Sequence, residues 1–324
     1  MNQPLLSLRD LSVSYQTADG DIIPVDQISF DVGKKEIFAL VGESGCGKST
    51  TALAVMRLIF SPGRIRNGEI VFEGRDLLQL NDRQMAGVRG KEIGMIFQNP
   101  LDSLNPVRSV GGQIREALCI DRMSRVEAWQ KTGDILKSVQ IADAEDRAAS
   151  YPFELSGGMR QRVMIGMMLS RQPKLLIADE PTTALDVTIQ AQILELLKGL
   201  RENLNTSILV ITHDFGIVAE IADRIAVMYA GKIVEIGDVY QIFEKPLHPY
   251  TRLLMEALPR ITKKEGRLAT IPGTVPNLVN PPRGCRFYGR CPEAMDKCRT
   301  MQPRLTEREA GHLTACHLEV TPHA

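Results

Sequence analysis

The sequence has no surplus of charge of either sign. Lys and Arg together number 39, Asp and Glu together number 39, and the formal net charge is therefore zero. A general nucleic-acid binder usually carries a basic surplus, so this balance argues against that class, although it leaves room for a local basic patch. The apolar fraction of 44% and the charged fraction of 24% are ordinary for a soluble globular protein.

Long apolar runs are also missing. No segment approaches the roughly 18 uncharged apolar residues that a membrane-spanning helix needs. The run Val163–Leu169 is short and lies between Arg162 and Arg171, which favours a buried helix. The N-terminus, MNQPLLSLRD, lacks the basic start and apolar stretch of a signal peptide. We therefore expect a cytoplasmic protein that associates with a membrane through its partners.

The first sixty residues predict strands followed by a helix. Leu6, Leu8, Leu11, Val13 and Tyr15 alternate as in a half-buried strand, and a second such stretch covers Gln27–Val32. The apolar run Glu36–Val41 leads into a glycine-rich loop, and the pattern is helical over Ser49–Phe60.

The second half of the chain predicts a buried parallel sheet. The apolar runs Leu175–Ala178 and Ile208–Ile211 flank an amphipathic helix, which indicates a strand–helix–strand unit. Ile225–Tyr229 and Lys232–Ile236 flank Ala230-Gly231 and predict a hairpin. After about residue 255 prolines interrupt regular structure, and we place a domain boundary there.

Residues 42–49 read GESGCGKS and match the phosphate-loop pattern G-x-x-x-x-G-K-[ST] in full. Its glycines let backbone N–H groups surround phosphate oxygens, and the following helix N-terminus favours an anion. Lys48 is expected to reach the β- and γ-phosphates, and the Ser49 hydroxyl to ligate Mg²⁺. The predicted nucleotide ligands here are Gly42, Ser44, Gly45, Cys46, Gly47, Lys48, Ser49 and Thr50.

Two carboxylates end the apolar strand that reads LLIADE over residues 175–180. Ligands of open parallel sheets bind at the carboxyl ends of the strands. Asp179 is therefore predicted to hold Mg²⁺ and Glu180 to polarise the attacking water. Any buried strand can end in Asp-Glu, so the weight of this pattern comes from the phosphate loop that precedes it.

Residues 155–162 read LSGGMRQR and resemble the LSGGxxQR signature of ATP-binding-cassette (ABC) ATPases at every specified position. The resemblance implies an α/β, P-loop NTPase (RecA-like) ABC nucleotide-binding domain over residues 1–255. That domain would hold an N-terminal antiparallel β subdomain and an inserted helical subdomain at about 100–170. In this family Ser156, Gly157, Gly158 and Gln161 would meet the nucleotide held by the opposite subunit of a dimer.

Other family elements are matched residue by residue. Gln98 resembles the glutamine that touches Mg²⁺ and senses the membrane partner. Asp186, in Ala184-Leu185-Asp186, resembles the loop that crosses the dimer interface, and His213 resembles the histidine that contacts the γ-phosphate. Tyr15 is the predicted adenine-stacking aromatic, with a half-buried strand tyrosine as the alternative.

Three segments are similar to ATPases of dipeptide, oligopeptide and nickel importers. These are Asn99–Pro106, which follows the glutamine, Thr182–Val187, and Pro246–Leu254, which contains His-Pro-Tyr-Thr. The similarity is greatest to the D-type subunit of dipeptide permeases. It implies a second, F-type ATPase subunit, two integral-membrane permease subunits and an extracytoplasmic solute-binding protein as partners, on the cytoplasmic side of the inner membrane. It does not identify the solute.

Four of the six cysteines, Cys285, Cys291, Cys298 and Cys316, lie in the last forty residues. In a reducing compartment such spacing favours a metal site over a disulfide framework. Four thiolates suit either Zn²⁺ or an iron–sulfur cluster. Members of this importer branch carry a [4Fe–4S] cluster here, and the resemblance therefore favours the cluster. Zinc and free or disulfide-bonded thiols are the alternatives.

Two other functions compete with a transport ATPase. One is a soluble ABC ATPase that acts on ribosomes or nucleic acid. Such proteins usually carry two cassettes or a long coiled-coil insertion, and this chain has neither. The other is a cassette that binds ATP without hydrolysing it, which the presence of Glu180 and His213 disfavours. The expected ligands are thus ATP, Mg²⁺ and a [4Fe–4S] cluster, with no nucleic-acid partner.

Overall fold

The computed structural model describes residues 3–98, 103–120, 123–183, 185–258 and 271–318. The chain divides into two compact units, one formed by residues 1–33, 37–79 and 212–324, and the other by residues 34–36 and 80–211. The C-terminal segment (residues 256–324) thus belongs to the first unit. Of the predicted motifs, Asn99, Pro100, Leu101, Asp102 and Ala184 lie outside the described residues.

The strands lie along most of the described chain, and those within residues 175–229 alternate with helices. In chain order they are β1 (Leu6–Thr17), β2 (Gly20–Val32), β3 (Ile37–Val41), β4 (Gly63–Phe72), β5 (Arg75–Asp76), β6 (Ile93–Ile96), β7 (Leu175–Asp179), β8 (Ser207–Thr212), β9 (Arg224–Tyr229), β10 (Lys232–Asp238), β11 (Thr306–Glu309) and β12 (His312–Thr314).

The helices concentrate in the middle of the chain. They are α1 (Lys48–Val55), α2 (Asp82–Val88), α3 (Val110–Ile120), α4 (Arg125–Ser138), α5 (Ala144–Arg147), α6 (Gly157–Leu169), α7 (Val187–Leu204), α8 (Phe215–Ile221), α9 (Val239–Glu244), α10 (Pro249–Ala257) and α11 (Asp296–Thr300). Short 3₁₀ helices cover Leu77–Gln79, Pro152–Glu154 and Tyr288–Arg290. Across the described ranges, every helix is too short or too polar to cross a membrane.

The first unit contains an antiparallel sheet in the order β2-β1-β4-β5. Leu6 lies opposite Val32 on one side and Phe72 on the other. Both neighbours and Leu6 itself are fully buried, since the alternation of β1 turns one face of the strand toward the core. The predicted N-terminal strands are confirmed, whereas β4 was not predicted.

A second group of strands in this unit supports the phosphate loop. β3 runs parallel to β9, β9 forms the predicted hairpin with β10, and β10 pairs with β12 of the C-terminal segment. Buried Tyr229, Tyr250 and Phe287 pack together beside these strands, with ring centroids 4.6 to 5.3 Å apart. The C-terminal segment therefore shares the core of the cassette.

The helix after the phosphate loop is shorter than the sequence predicts, since α1 ends at Val55 instead of Phe60. The Leu58 N–H donates to the Leu53 carbonyl and the Arg57 N–H to the Ala54 carbonyl. This is the Schellman arrangement that closes a helix, and Arg57 takes the left-handed conformation usually given to glycine, with φ 49°. Because no glycine marks this position, the sequence pattern places the end of α1 too late.

The second unit is built on the parallel strands β6, β7 and β8, in that order across the sheet. The predicted strand–helix–strand unit is confirmed as β7, α7 and β8. Asp186 accepts the Ile189 N–H to cap α7, and Asn205 ends that helix in a left-handed conformation. Between β6 and β7 the described chain contains α3 to α6, in the region where the resemblance implies an inserted helical subdomain.

Candidate nucleotide site and cysteine cavity

The phosphate loop (Gly42–Ser49) depends on two glycines that no other residue could replace. Gly42 has φ 155° and Gly47 has φ 111°. A Cβ atom at Gly42 would lie 2.1 Å from the Met228 carbonyl oxygen, and one at Gly47 would lie 1.9 Å from the Pro24 carbonyl oxygen. The loop is thus pressed against the backbone of two neighbouring strands, and only glycine permits this approach.

Lys48 turns back onto the loop that precedes it. Its Nζ donates to the carbonyl oxygens of Gly42, at 2.7 Å, and Glu43, at 3.0 Å, and lies 3.8 Å from the Cys46 Sγ. Cys46 is buried, and this burial raises the pKa of its thiol. Lys48 is itself only 5% exposed. The ammonium group is therefore held inside the loop, where phosphate oxygens can replace carbonyl oxygens as its partners.

Ser44 and Gly45 form the exposed tip of the loop, whereas Ser49 and Thr50 are half-buried in the first turn of α1. Tyr15 is half-buried near the end of β1, opposite Ile22 and Gly63. A Cβ atom at Gly63 would lie 2.5 Å from its ring, so glycine makes room for the tyrosine. The exposed His213 follows β8 and precedes α8.

In the second unit the structure brings Gln98 and Glu180 together. The Gln98 Nε2 donates to the Glu180 Oε2 at 3.1 Å, and the Thr183 hydroxyl donates to the same oxygen at 2.8 Å. Glu180 has a left-handed backbone, with φ 48°, and its N–H donates to the Ile211 carbonyl oxygen. Asp179, one residue earlier, is buried at the end of β7. The carboxylate of Glu180 is thus oriented by two side chains.

The signature segment LSGGMRQR spans the start of α6, which begins at Gly157. Ser156 caps the helix and its Oγ accepts the Met159 N–H at 3.3 Å. A Cβ atom at Gly158 would lie 2.7 Å from the Ile189 Cγ2 at the start of α7. Gln161 is buried, and its Nε2 donates to the Pro181 carbonyl oxygen at 2.7 Å. Gln161 therefore connects the signature helix to the turn that carries Glu180.

The four C-terminal cysteines line one small cavity, together with Phe287, Met295 and other residues. Burial, with the nearby thiols adding to it, raises the pKa of Cys285 to about 11 and also raises those of Cys291 and Cys316. None of the six cysteines, all of which lie in the described ranges, is joined in a disulfide. The cysteines do converge, and the disulfide alternative is wrong for this structure.

The predicted metal site is not confirmed. In the parts of the chain that the structure describes, no three His, Cys, Asp or Glu side chains are arranged to hold a metal ion. Four cysteines around one cavity nevertheless provide an all-thiol donor set, which suits zinc or an iron–sulfur cluster. The cluster remains a prediction.

Sequence reasoning passed over Glu43 of the phosphate loop and two arginines of the C-terminal segment. Glu43 occupies a variable position of the loop pattern, and Arg286 and Arg290 lie among the cysteines. Arg290 donates two hydrogen bonds to the Glu43 carboxylate although 247 residues separate them. No local pattern signals such a pair. The sequence shows an acidic residue in a phosphate-binding loop, but only the fold shows that arginines lie close to it.

The chain matches two protein families and resembles known proteins along nearly its whole length. Residues 25–183 match the family "ABC transporter", and residues 234–298 match "Oligopeptide/dipeptide transporter, C-terminal region". A probable peptide ABC transporter ATP-binding protein of Sinorhizobium fredii is 50% identical over 96% of this chain and 94% of its own length. A dipeptide transport ATP-binding protein of Bacillus subtilis is 47% identical over 98% of this chain and 95% of its own length.

Solved structures agree with this relationship. A dimeric ATP-binding cassette bound to ADP and Pi matches with a TM-score of 0.66 and 26% identity, over 72% of this chain and 98% of that one. The cassette fold predicted from the phosphate loop and the signature is thus confirmed. The chain belongs to the ABC transporter family of ATP-binding proteins, in the group that carries the oligopeptide/dipeptide transporter C-terminal region.

Proposed function

We propose that this chain is the ATP-hydrolysing subunit of an ABC importer for dipeptides or oligopeptides. The observation that carries the proposal is the similarity to peptide transport ATP-binding proteins along nearly the whole chain, including the C-terminal region. As an ABC ATPase the chain supplies the energy of transport. The soluble ribosomal or nucleic-acid ATPase is disfavoured, because the matched relatives are named for transport and the net charge is zero.

The proposed chemistry assigns one role to each part of the site. Lys48 binds the β- and γ-phosphates, and Glu180 accepts a proton from the attacking water as its oxygen bonds to the γ-phosphorus. The bond between the γ-phosphorus and the oxygen of ADP then breaks, which gives ADP and inorganic phosphate. Gln98 and Thr183 orient Glu180 for this step, and His213 contacts the γ-phosphate.

The remaining assignments concern ligands and binding. Ser49, Gln98 and Asp179 provide hydroxyl, amide and carboxylate oxygens, a donor set suited to Mg²⁺, which offsets phosphate charge when bound. Tyr15 would stack on adenine. Ser156, Gly157 and Gly158 would complete the site of a second ATPase subunit, with Asp186 near that interface and Gln161 holding the signature helix. A different, F-type chain would be that second subunit.

We further propose that residues 1–255 form the ATPase domain and that the C-terminal segment holds a [4Fe–4S] cluster. The thiols of Cys285, Cys291, Cys298 and Cys316 would be its ligands, because all four line one cavity. Such a cluster supplies covalent cross-links within a segment that has little regular structure of its own. Two permease subunits and a solute-binding protein complete the proposed importer, with this chain on the cytoplasmic face.

Peptide uptake tests the transport function. Deletion of the gene in its host should abolish uptake of a radiolabelled dipeptide or of a labelled oligopeptide. The wild-type gene should restore that uptake and the Lys48→Ala variant should not, although both chains are present in equal amount. Unchanged uptake of both peptides in the deletion strain, together with co-sedimentation of the chain with ribosomes in wild-type cells, would overturn the proposal in favour of the soluble alternative.

Metal analysis of the anaerobically purified chain tests the cluster. The protein should be brown and contain about four iron atoms per chain. Cys298→Ser should remove the colour and the iron, whereas Cys119→Ser, which changes a cysteine outside the cavity, should retain both. Stoichiometric zinc without iron would replace the cluster by a zinc site, and the absence of both metals would eliminate the site.

A further inference from the structure

Glu43 connects the phosphate loop to the C-terminal segment through its carboxylate. Arg290 donates from Nη1 to Oε2 at 2.7 Å and from Nη2 to Oε1 at 3.0 Å. The Arg290 side chain is 7% exposed and that of Glu43 is 28% exposed. A two-point hydrogen-bonded pair with one partner almost buried fixes both distance and orientation, unlike a surface ion pair.

Arg290 is itself held in place by groups other than Glu43. Its Nε donates to the Pro272 carbonyl oxygen at 2.8 Å, and its Nη1 also donates to the Tyr229 hydroxyl at 3.3 Å. The guanidinium lies 5.7 Å from the centre of the Tyr229 ring. Its Nη2 also donates to the Ile271 carbonyl oxygen at 3.5 Å. Since these three contacts orient the guanidinium, its two remaining N–H groups are aimed at Glu43.

The backbone of Glu43 is fixed at the same point. Its N–H donates to the Tyr250 hydroxyl at 3.1 Å, and its carbonyl oxygen accepts from the Lys48 Nζ at 3.0 Å. Tyr250 belongs to the His-Pro-Tyr-Thr sequence, and its own N–H donates to His248 Nδ1. Burial lowers the pKa of His248 to about 4, so the imidazole is neutral and able to accept. One residue of the loop therefore joins Lys48 to two side chains of the C-terminal third.

A second connection reaches the other side of the loop. Arg286 is 3% exposed and donates to the Ala230 carbonyl oxygen and to the Asp26 carboxylate. The adjacent Gly231 N–H donates to the Cys46 carbonyl oxygen at 2.8 Å. Arg286 thus holds the hairpin turn that supports Cys46, while Arg290 holds Glu43.

The negative charge of Glu43 makes its contact with Arg290 important for nucleotide binding. A carboxylate in a loop that receives a polyphosphate would repel the ligand, and the partly dry surroundings would screen that repulsion poorly. Arg290 neutralises the carboxylate, and its two hydrogen bonds restrict the rotation of the Glu43 side chain in the loop. Without Arg290, the loop would have both an unpaired negative charge and a less defined shape.

We propose that Arg290 is a positioning residue for ATP, which fixes and neutralises Glu43 and thereby makes nucleotide affinity depend on the C-terminal segment. The proposal deepens the ATPase site and rests on the ATPase function, while requiring neither peptide transport nor a cluster. It predicts a loss of nucleotide affinity from changes far along the chain, in residues outside every nucleotide-binding pattern.

A double-mutant cycle measured by nucleotide binding tests the proposal. Arg290→Ala should weaken binding of a fluorescent ATP analogue by on the order of tenfold. Glu43→Gln alone should have a small effect, and the double variant Arg290→Ala/Glu43→Gln should recover most of the loss, since no unpaired carboxylate remains. Arg290→Lys should be intermediate. In the ATPase assay the KM for ATP should rise more than kcat falls.

The control is Arg299→Ala, which removes an exposed arginine of the same segment and should leave binding unchanged. Wild-type affinity in Arg290→Ala would overturn the proposal, and so would a double variant as weak as Arg290→Ala, because that result shows general loosening. If Arg290→Ala does not fold, Arg290→Lys with and without Glu43→Gln gives the same comparison. Failure of the wild-type chain to bind ATP would instead contradict the ATPase function itself.

Discussion

Glu180 is held by hydrogen bonds that an amide can largely reproduce. Gln98 and Thr183 both donate to Oε2, and a glutamine at position 180 keeps an oxygen that accepts. We expect Glu180→Gln to leave ATP binding intact and to lower hydrolysis by roughly 10²-fold or more, since the proton acceptor is lost. Binding of an ATP analogue and phosphate release by the assembled complex measure the two effects.

The matched control for this substitution is Glu202→Gln, on the exposed surface of α7, which should hydrolyse ATP at the wild-type rate. Near-wild-type turnover of Glu180→Gln would remove Glu180 from the role of base. In that event another carboxylate would have to accept the proton, and the neighbouring Asp179 would be the first to test.

The residues of the site differ in how well their roles can be predicted from the sequence. Lys48, Asp179 and Glu180 belong to short patterns whose chemistry depends on local spacing, and the sequence predicts their positions. The pair of Glu43 and Arg290 depends instead on the packing of segments 247 residues apart. Short-range patterns hold no information about such contacts, and the fold is needed to find them.

Among the secondary-structure elements, β10 carries an unusual buried carboxylate. Glu235 is fully buried and accepts the N–H groups of Leu247, at 2.7 Å, and His248, at 3.0 Å. His312 Nε2 on β12 lies 2.8 Å from its Oε1. Glu235 thus joins β10 to the approach of α10 and to the C-terminal hairpin.

Removal of this carboxylate should loosen all three elements. We expect Glu235→Ala to lower the free energy of unfolding by about 3 kcal/mol, because it leaves buried donors without an acceptor. Urea denaturation gives the size of the change, and hydrogen exchange should show faster exchange in β12. Glu309→Ala, on the exposed strand β11, should change stability by less than about 0.5 kcal/mol. Equal stabilities for both variants would contradict this account.

The bounds of helices and strands show the limits of prediction from local sequence patterns. The sequence predicts the hairpin of β9 and β10 because Ala230-Gly231 separates two apolar runs. It misplaces the end of α1 because Arg57 adopts a conformation that glycine usually marks. It passes over β4, in which polar Arg64, Arg66 and Asn67 hide the alternation, although Ile70 and Phe72 are fully buried.

At the scale of the whole molecule, a complete catalytic site is expected to need two cassettes. The solved cassette that matches this chain is dimeric. If Ser156 of one cassette completes the site formed by Lys48 of another, the purified chain should hydrolyse ATP slowly when dilute. The rate per chain should rise with concentration or on addition of the second ATPase subunit.

If the chain forms a homodimer, mixing two inactive variants tests whether each catalytic site is shared between two subunits. Lys48→Ala and Ser156→Ala should each be nearly inactive, and their mixture should regain activity, since one site of the mixed dimer then has both groups intact. No recovery, with dimer formation shown by light scattering, would contradict a shared site. With a different partner chain, Ser156→Ala should damage the site whose phosphate loop belongs to that partner.

The contact between Glu43 and Arg290 also has a consequence for the order in which the chain is made. A ribosome adds about 5 to 20 residues per second, so the 247 residues that follow Glu43, up to and including Arg290, take roughly 12 to 50 s to synthesise. During that interval the loop for ATP exists without the arginine that neutralises its carboxylate. A nascent chain stalled before Arg290 should therefore bind ATP less tightly than the released protein, because the loop gains its full affinity only after Arg290 has been added.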